Sequence, residues 1–173
     1  KDNPTARHVV YRALFDLLFP LSIQERQKQL NHLLAWAGMG SAARPTHRPL
    51  SRLEVIQLAA GGLVEIGSHT VNHPVLSRIP QREQAAEISE SKAHLEEILG
   101  SPVTSFAYPY GGRTHYTDET VAAVRDAGFK RACSNFSGIV RRRTDPWQLP
   151  RFLVRDWPGD EFMARLRGWL REM

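Results

Sequence analysis

Two histidines, His69 and His73, lie four residues apart in the segment GSHTVNHP, residues 67–74. Neutral imidazoles are good ligands for zinc and similar divalent cations, and two at this spacing can meet on one ion through a helical turn or a tight loop. Pro74 disfavours helical geometry at His73, which favours a loop. On spacing and position, the segment predicts either a divalent-metal site or a loop with two hydrogen-bonded histidines.

A second segment with chemical potential is FAYPYGGR, residues 106–113. Its backbone amides and aromatic rings would reach the same end of a parallel sheet as the histidines, where an amide could stabilise an oxyanion. Pro-x-Gly-Gly is also ordinary turn chemistry, and tyrosines pack in cores. Taken alone, this segment predicts only a turn.

The composition indicates an ordinary globular chain and excludes several classes of protein. The 173 residues are 42% hydrophobic and 24% charged, which fits about one domain with a real core. The single cysteine, Cys133, excludes an internal disulfide and a cysteine-based zinc cluster, and we expect it to be a small core residue. No run of 18 apolar residues exists, so no membrane-spanning segment is predicted.

The net charge of +5 falls entirely in the last 49 residues and includes the run Arg141, Arg142 and Arg143. Such an excess can bind polyanions, so a polyanion-binding module is a third choice of function. No aromatic residues interleave the arginine run, which favours a solvated loop. We therefore expect no nucleic-acid partner.

Apolar periodicity and capping residues predict a helical front and an alternating remainder. Ser-x-x-Glu capping boxes begin helices at Ser22 and Ser51. Further helices are expected over residues 9–19, from Pro80 to Gly100, from Thr117 to Gly128, and from Asp160 onward.

Four strands are predicted after the helical front. They are Leu63–Gly67, Val103–Ala107, Phe129–Ser134 and, as a possible fourth, Phe152–Val154. Strands that alternate with helices indicate a parallel α/β sheet or barrel, whose sites gather where strands end. Four strands are too few to close a barrel.

Two strings together carry a family resemblance: EIGSHTVNHP, residues 65–74, and FAYPYG, residues 106–111. They resemble the second and third motifs of the polysaccharide deacetylases, the family with homology to nodulation protein B (carbohydrate esterase family four). The long helix between the strings and the later AGF, residues 127–129, also match, so the resemblance covers about residues 50–170. It implies an α/β fold, a deformed (β/α) barrel of parallel strands, here incomplete at its N-terminal side.

The resemblance also implies a chemistry. His69 and His73 would bind a divalent metal, for which we expect zinc, together with one aspartate. A second aspartate would act as general base for the water that attacks the acetyl group of an N-acetylated sugar. The backbone N–H of Tyr110 would stabilise the oxyanion, which makes Tyr110 a catalytic candidate. Expected substrate contacts are Tyr108, Pro109 and Gly111.

This sequence departs from the family pattern at several points. No two aspartates are adjacent anywhere; Asp2 and Asp16 follow no strand, and Asp16 falls in a predicted helix. Ala107 stands where many members carry an arginine that orients the base, and the closing Leu-x-His motif is missing. We therefore expect the third ligand and the base to precede Lys1, and the present chain alone to be inactive.

Two later residues are carried as weaker candidates. Asp156 precedes a tryptophan, as in the family's fourth motif, but one element late, and it is a catalytic candidate. Arg151 follows Leu-Pro at a predicted strand and is either a substrate contact in the cleft or a surface arginine.

We predict a metal-dependent hydrolase that removes N-acetyl groups from a polysaccharide. Its helical insertion or N-terminal region would span residues 1–50, and the C-terminal part of a deacetylase-like barrel domain would span residues 51–173. The alternative is a catalytically inactive deacetylase-like domain that binds carbohydrate or a partner protein. An incomplete sheet edge also predicts association, such as a homodimer. By the resemblance, a secreted or periplasmic location is favoured.

Overall fold

The computed structural model describes residues 5–40 and 45–171. The chain divides into two compact units, residues 1–49 and 50–173. Asp2 lies outside the described residues. Among the described residues, no helix has both the length and the apolar composition needed to cross a membrane.

The first unit contains two helices, α1 (Ala6–Leu18) and α2 (Ile23–Trp36), and a short 3-10 turn, Pro45–His47. The side chain of Ser22 accepts a hydrogen bond from the Glu25 N–H at 3.2 Å, which confirms the predicted start of α2. Neither helix contains a buried residue.

The second unit contains four helices that confirm the predicted pattern. They are α3 (Arg52–Ala60), α4 (Gln81–Leu99), α5 (Asp118–Asp126) and α6 (Gly159–Arg171). The predicted serine and threonine caps, Ser51 and Thr117, accept backbone hydrogen bonds at the starts of α3 and α5. Gly100 ends α4 with a φ of 65°, a left-handed conformation that glycine adopts without steric cost.

The sheet is short and parallel. Strand β1 (Ser105–Ala107) pairs with strand β2 (Arg131–Cys133), and Phe106 lies opposite Ala132. A parallel bridge joins Ser68 to Phe106 on one side, and another joins Cys133 to Leu149 on the other. The described residues therefore form a mixed α/β fold with parallel pairing, and no closed barrel is present among them.

Two of the four predicted strands are wrong in position. Pairing of the first begins at Ser68, where its N–H donates to the Ser105 carbonyl at 2.9 Å, and residues 63–67 form no ladder. The fourth pairing occurs at Leu149, whose N–H donates to the Ala132 carbonyl at 2.8 Å. Residues 152–154 are not a strand.

The different position of the last pairing has a packing cause. The ring of Phe152 stacks on Trp169 of α6, with centroids 4.3 Å apart, while Leu153 and Val154 remain exposed. Phe152 is thus engaged with a helix instead of a strand, which a β-propensity argument does not detect.

The core lies around the parallel pair and the helices α4 and α5. Ile88 of α4 and Val124 of α5 are fully buried, and their burial is the main apolar contribution that holds these helices in place. The other buried apolar residues of this cluster are Leu76, Val103, Phe106, Tyr108, Tyr116, Val121, Phe129 and Ala132.

Glu65 ties three parallel segments together at the surface. Its carboxylate accepts hydrogen bonds from the Ser105 hydroxyl on β1 and from the Arg131 guanidinium on β2, the latter at 2.5 Å. The Ser105 hydrogen bond and then the Arg131 cation hold the pKa of Glu65 below its usual value. The charged carboxylate is therefore the form that the fold favours.

Replacing Glu65 tests this surface connection. Glu65→Gln should lower the free energy of unfolding by about 1 kcal/mol at neutral pH, because hydrogen bonds to a charged acceptor are lost. Since the folded-state pKa lies below the unfolded-state value, the difference should shrink as the pH falls through the folded-state pKa. Urea denaturation of wild type and variant across a pH series measures it.

The matched control is Glu90→Gln, which removes an exposed carboxylate from α4. It should change stability little at any pH. A Glu65→Gln difference that is absent at neutral pH, or that does not shrink in acid, would contradict this role of Glu65.

Candidate active site

His69 is placed by the bridge at Ser68, whose side chain is buried and within 2.6 Å of the Ser91 hydroxyl on α4. The imidazole of His69 is exposed, and its Nδ1 lies 2.7 Å from the carbonyl oxygen of Ala107. Because a carbonyl only accepts, Nδ1 carries the proton, and Nε2 keeps the lone pair that a metal requires. Such a hydrogen bond to the second ring nitrogen is the usual way in which a histidine ligand is oriented.

His73 lies against His69, with ring centroids 4.7 Å apart and planes at 74°. The hydroxyl of Thr70 accepts a hydrogen bond from the His73 N–H at 3.1 Å and closes the turn between them. Thr70 and His73 have φ values of 66° and 53°, in the left-handed region that costs non-glycine residues energy. The left-handed turn at Thr70 and His73 places the two imidazoles next to each other.

Glu87 of α4 holds this strained loop. Its carboxylate accepts hydrogen bonds from the N–H groups of Val71 and Asn72, both at 2.9 Å, and from the Asn72 side-chain amide at 2.6 Å. The side chain of Glu87 is 8% exposed, so these bonds satisfy a carboxylate that is largely removed from water. The sequence analysis did not identify Glu87; its position on the inner face of the predicted helix was the only available signal.

Tyr110 brings the second motif to the histidines. Its ring lies 4.7 Å from the His73 ring, and its φ of 61° is again left-handed. Its carbonyl accepts a hydrogen bond from the Asn135 side chain at 3.1 Å. The structure therefore brings together three predicted site residues, His69, His73 and Tyr110, from two loops at the carboxyl ends of parallel segments.

Gly111 is required by space as well as by conformation. It has a φ of 63°, and a Cβ at this position would lie 2.8 Å from the Asn135 backbone nitrogen. The N–H of Asn135 donates to the Gly111 carbonyl at 2.8 Å. Gly111 is buried, so we assign it to the close approach of two loops instead of to a substrate contact.

Tyr108 and Pro109, the predicted substrate contacts, both lie in the interior of the described structure. Tyr108 is 1% exposed, stacks on Tyr116 at 4.0 Å, and donates a hydrogen bond to the Trp147 carbonyl at 2.8 Å. Burial raises the pKa of Tyr108, so its hydroxyl keeps its proton. Pro109 is also fully buried, and neither side chain offers a surface to a ligand.

His115 is a further neighbour of the site. Its ring lies 5.6 Å from that of Tyr110, on the loop that Tyr110 begins. Its Nδ1 accepts a hydrogen bond from the Gly112 N–H at 3.1 Å and thereby fixes the turn. The five-residue spacing from Tyr110 gave no sign of this contact.

The two weaker candidates, Arg151 and Asp156, make no described contact with the histidine loop. The guanidinium of Arg151 donates to the Ser134 carbonyl at 2.7 Å, one residue before Asn135. Asp156 is exposed in the segment before α6, and no contact described for it involves His69 or His73. Their predicted roles in substrate binding and catalysis stay predictions.

The donor set fits a divalent cation only in part. Two imidazoles suit zinc, but the described residues contain no group of three or more histidine, cysteine or carboxylate side chains that could hold an ion. A pocket of about 840 Å³ opens beside His69, between its loop and the α4 residues Glu90, His94 and Glu97. This pocket leaves room for further groups next to His69.

Glu87→Gln should disturb the histidine loop. A glutamine oxygen is a weaker acceptor, and its amide would face the Asn72 amide donor, so we expect a loss of about 1–3 kcal/mol in unfolding free energy. The ring resonances of His69 and His73 should shift in long-range ¹H–¹⁵N spectra. Glu90→Gln on the same helix is the control and should leave both measurements unchanged; equal spectra for all three proteins would contradict the role of Glu87.

Comparisons with known proteins agree with this arrangement. The family model for polysaccharide deacetylases matches residues 32–132. YxkH of Bacillus subtilis, a curated protein assigned by name to the polysaccharide deacetylases, is 27% identical over 110 residues, which is 64% of this chain and 37% of YxkH. This chain therefore spans little more than a third of that relative.

Two solved structures have a similar fold. IcaB from Ammonifex degensii superposes with a TM-score of 0.61 and 25% identity over 75% of this chain and 56% of IcaB. The Streptococcus pyogenes deacetylase PplD, solved with acetate, gives a TM-score of 0.61 and 24% identity over 72% of this chain and 52% of PplD. The family match covers more than half of the sequence, and it confirms the resemblance: the chain belongs to the polysaccharide deacetylase family.

Proposed function

We propose that this chain is the histidine-bearing part of a metal-dependent hydrolase that removes N-acetyl groups from a polysaccharide. The observation that carries the proposal is the paired arrangement of His69 and His73 beside Tyr110, with the Nδ1 of His69 bonded to a carbonyl. A histidine oriented in this way presents its other nitrogen as a ligand.

His69 and His73 would hold the cation, for which we propose zinc because it is well suited to imidazole ligands. A bound divalent cation would supply Lewis-acid chemistry by polarising the acetyl carbonyl and acidifying water. The hydrogen bond from His69 to the Ala107 carbonyl fixes the tautomer, and the Glu87 carboxylate fixes the loop. These residues thus orient the ligands before any ion is bound.

The Tyr110 backbone N–H is the proposed oxyanion donor. Tyr110 is held from both sides: Asn135 bonds its carbonyl, and Gly111 allows the close approach of the 134–136 loop. A donor on a backbone held in this way needs little reorganisation as negative charge develops on the acetyl oxygen.

The proton acceptor and the third ligand are proposed to be aspartates outside the described residues. The pocket beside His69 is large enough to admit another chain segment next to the imidazoles. Such a segment could pair with the outer edge of residues 63–68, where Leu63 is 96% exposed, and would extend the parallel pairing toward the proposed barrel. The same exposed edge supports the proposal of a homodimer.

The alternative function uses the same fold for binding, without catalysis. With two histidines and no third protein ligand among the described residues, the chain could serve as an inactive deacetylase-like domain that binds carbohydrate or a partner protein. The two functions differ in whether acetate is released. A secreted or periplasmic place, and a separate role for residues 1–50 as a helical insertion, remain parts of the proposal.

Acetate release from N-acetylglucosamine oligomers in the presence of zinc tests the proposal. The present chain should release none above a metal-only blank, because the described residues bring no third metal-binding side chain to the imidazole pair. A longer protein that joins this chain to a segment with adjacent aspartates should be active, and His69→Ala or His73→Ala should remove at least about 90% of that activity. Tyr110→Phe should change it little, because the backbone N–H remains.

His94→Ala is the matched control, because His94 lines the same pocket from α4 and has no contact with the ring pair among those described. It should retain most of the activity. In the longer protein, equal activity of the His73→Ala variant and the wild type would overturn the metal-site assignment. Release of acetate by the present chain, abolished by a chelator, would show that its base lies within these 173 residues.

A further inference from the structure

Six side chains from loops of the second unit and from α6 form what we call the arginine–aromatic strip. They are Arg113, Phe136, Phe152, Trp157, Arg165 and Trp169. None of them belongs to the histidine site described above. In each of two places, a guanidinium lies over an aromatic ring, and in a third place two aromatic rings stack on each other.

The strip begins next to the proposed reaction site. Arg113 ends the Tyr110 loop, and its guanidinium carbon lies 4.1 Å from the centroid of the Phe136 ring. Phe136 directly follows Asn135, whose side chain bonds the Tyr110 carbonyl. The first ring of the strip is therefore one residue from a group that positions the proposed oxyanion donor.

The strip ends in a pocket of about 400 Å³ beside α6. The guanidinium carbon of Arg165 lies 4.2 Å from the Trp157 ring centroid, and Phe152 stacks on Trp169 at 4.3 Å. Ser137 and the guanidinium-bearing Arg155 line the same pocket. Glu161 accepts hydrogen bonds from two nitrogens of Arg165 and so holds it over the ring.

The two ends are joined by short backbone connections. The N–H of Arg151 donates to the Phe136 carbonyl at 3.0 Å, which places Phe152 beside the Phe136 segment. Gly138 approaches Pro150 so closely that a Cβ on Gly138 would lie 3.1 Å from it. The surface from Tyr110 to Trp169 is thus built from packed loops that fix its shape.

Half-buried aromatic rings beside guanidinium groups suit one kind of ligand especially well. A sugar ring presents an apolar C–H face to an aromatic ring, while its polar edge can accept hydrogen bonds from arginine and serine. Phe136, Phe152, Trp157 and Trp169 are all partly exposed. Their rings form a surface for stacking. The guanidiniums of Arg113 and Arg155 supply donors at its edge, and Arg165, two of whose nitrogens donate to Glu161, adds its remaining terminal nitrogen.

The charge of this part of the chain favours an anionic sugar. Residues 136–171 contain eight arginines and four carboxylates, a net charge of +4, whereas residues 1–124 are balanced. Arginine binds carboxylate and phosphate groups through paired N–H donors, which a neutral hydroxyl cannot match. The proposed reaction itself has no need of this charge.

We propose that the arginine–aromatic strip is a subsite for a sugar residue that carries a carboxylate or phosphate group, on the same polysaccharide whose acetyl group reaches the histidines. The inference rests on the proposed function for the identity of the chain that fills it. It selects acidic, N-acetylated polysaccharides as the substrate class. A single-stranded nucleic acid is the competing polyanion, and adjacency to the Tyr110 loop favours the glycan.

Binding to this chain can be measured without catalysis. The probe is a hexasaccharide of alternating glucuronate and N-acetylglucosamine, compared with the same hexasaccharide after reduction of its carboxyl groups. Isothermal titration should give a dissociation constant about tenfold lower for the acidic form, and the difference should decrease with added salt. A hexamer of N-acetylglucosamine joined by phosphodiesters distinguishes a phosphate preference from a carboxylate preference.

Substitutions at two positions of the strip, Arg165 and Trp157, have matched controls elsewhere. Arg165→Gln and Trp157→Leu should each weaken binding of the acidic hexasaccharide about tenfold, while Trp157→Phe, which keeps an aromatic ring, should weaken it less. Arg52→Gln removes an exposed arginine with one ion pair, and Trp36→Leu removes a tryptophan that is 86% exposed. Both controls should bind like wild type.

A thermodynamic cycle that combines one substitution in the protein with reduction of the ligand's carboxyl groups tests the charge assignment more sharply. Arg165→Gln should weaken the acidic hexasaccharide but leave affinity for the carboxyl-reduced form nearly unchanged. Melting curves check that each variant folds, and Arg165→Gln, on an exposed helix face, carries the test if Trp157→Leu does not fold.

Equal affinity for the acidic and reduced hexasaccharides would overturn the proposal, as would wild-type binding by both strip variants. Tighter binding of an oligouridylate, sensitive to the same variants, would assign the strip to nucleic acid. The His73→Ala variant should bind the acidic hexasaccharide normally. Strip binding without acetate release by any form of the enzyme would therefore contradict the proposed function and leave the subsite intact.

Discussion

The buried carboxylate of Glu87 is the interaction on which the geometry of the site depends. It satisfies three N–H donors of a loop in which Thr70 and His73 have left-handed backbones. Each such residue costs on the order of 1–3 kcal/mol unless its surroundings compensate. Because α4 is packed against the sheet through Ile88, the next residue, the helix holds Glu87 where this compensation occurs. The imidazole pair is therefore a consequence of core packing as much as of the local sequence.

The same logic extends to the second loop. Tyr110 is also left-handed, and the contact between Gly111 and Asn135 fixes it against the segment that follows β2. Two loops from separate parallel segments are thus each held by a neighbouring element, one by α4 and the other by the 134–136 loop. The protein thus orients the proposed ligands and the proposed oxyanion donor before a substrate arrives, which is the condition for effective electrostatic stabilisation.

The sequence predicted correctly those features that depend on interactions between residues close together in the chain. Capping residues such as Ser22, Ser51 and Thr117 gave the helix starts, because their hydrogen bonds join residues three apart. The histidine loop and its closeness to Tyr110 followed from motif resemblance. The strand ends were wrong because a three-residue pairing depends on neighbours far away in sequence, as at Leu149. Sequence spacing also gave no sign of the loop contacts of Glu87, the ring contact of His115 or the burial of Tyr108. All three depend on how the folded chain packs.

The central proposal is that His69 and His73 bind one divalent cation together with a third ligand that the described residues do not supply. Crystals of the longer protein that joins this chain to a segment with adjacent aspartates, soaked in zinc, with anomalous diffraction data collected at the zinc absorption edge, test it most directly. The account predicts one anomalous peak at about 2.0–2.1 Å from a ring nitrogen of each histidine, with Nε2 as the ligand atom of His69. A zinc peak that contacts only one of the two rings would contradict this proposal. So would zinc bound only at other histidines, with no peak beside His69 and His73.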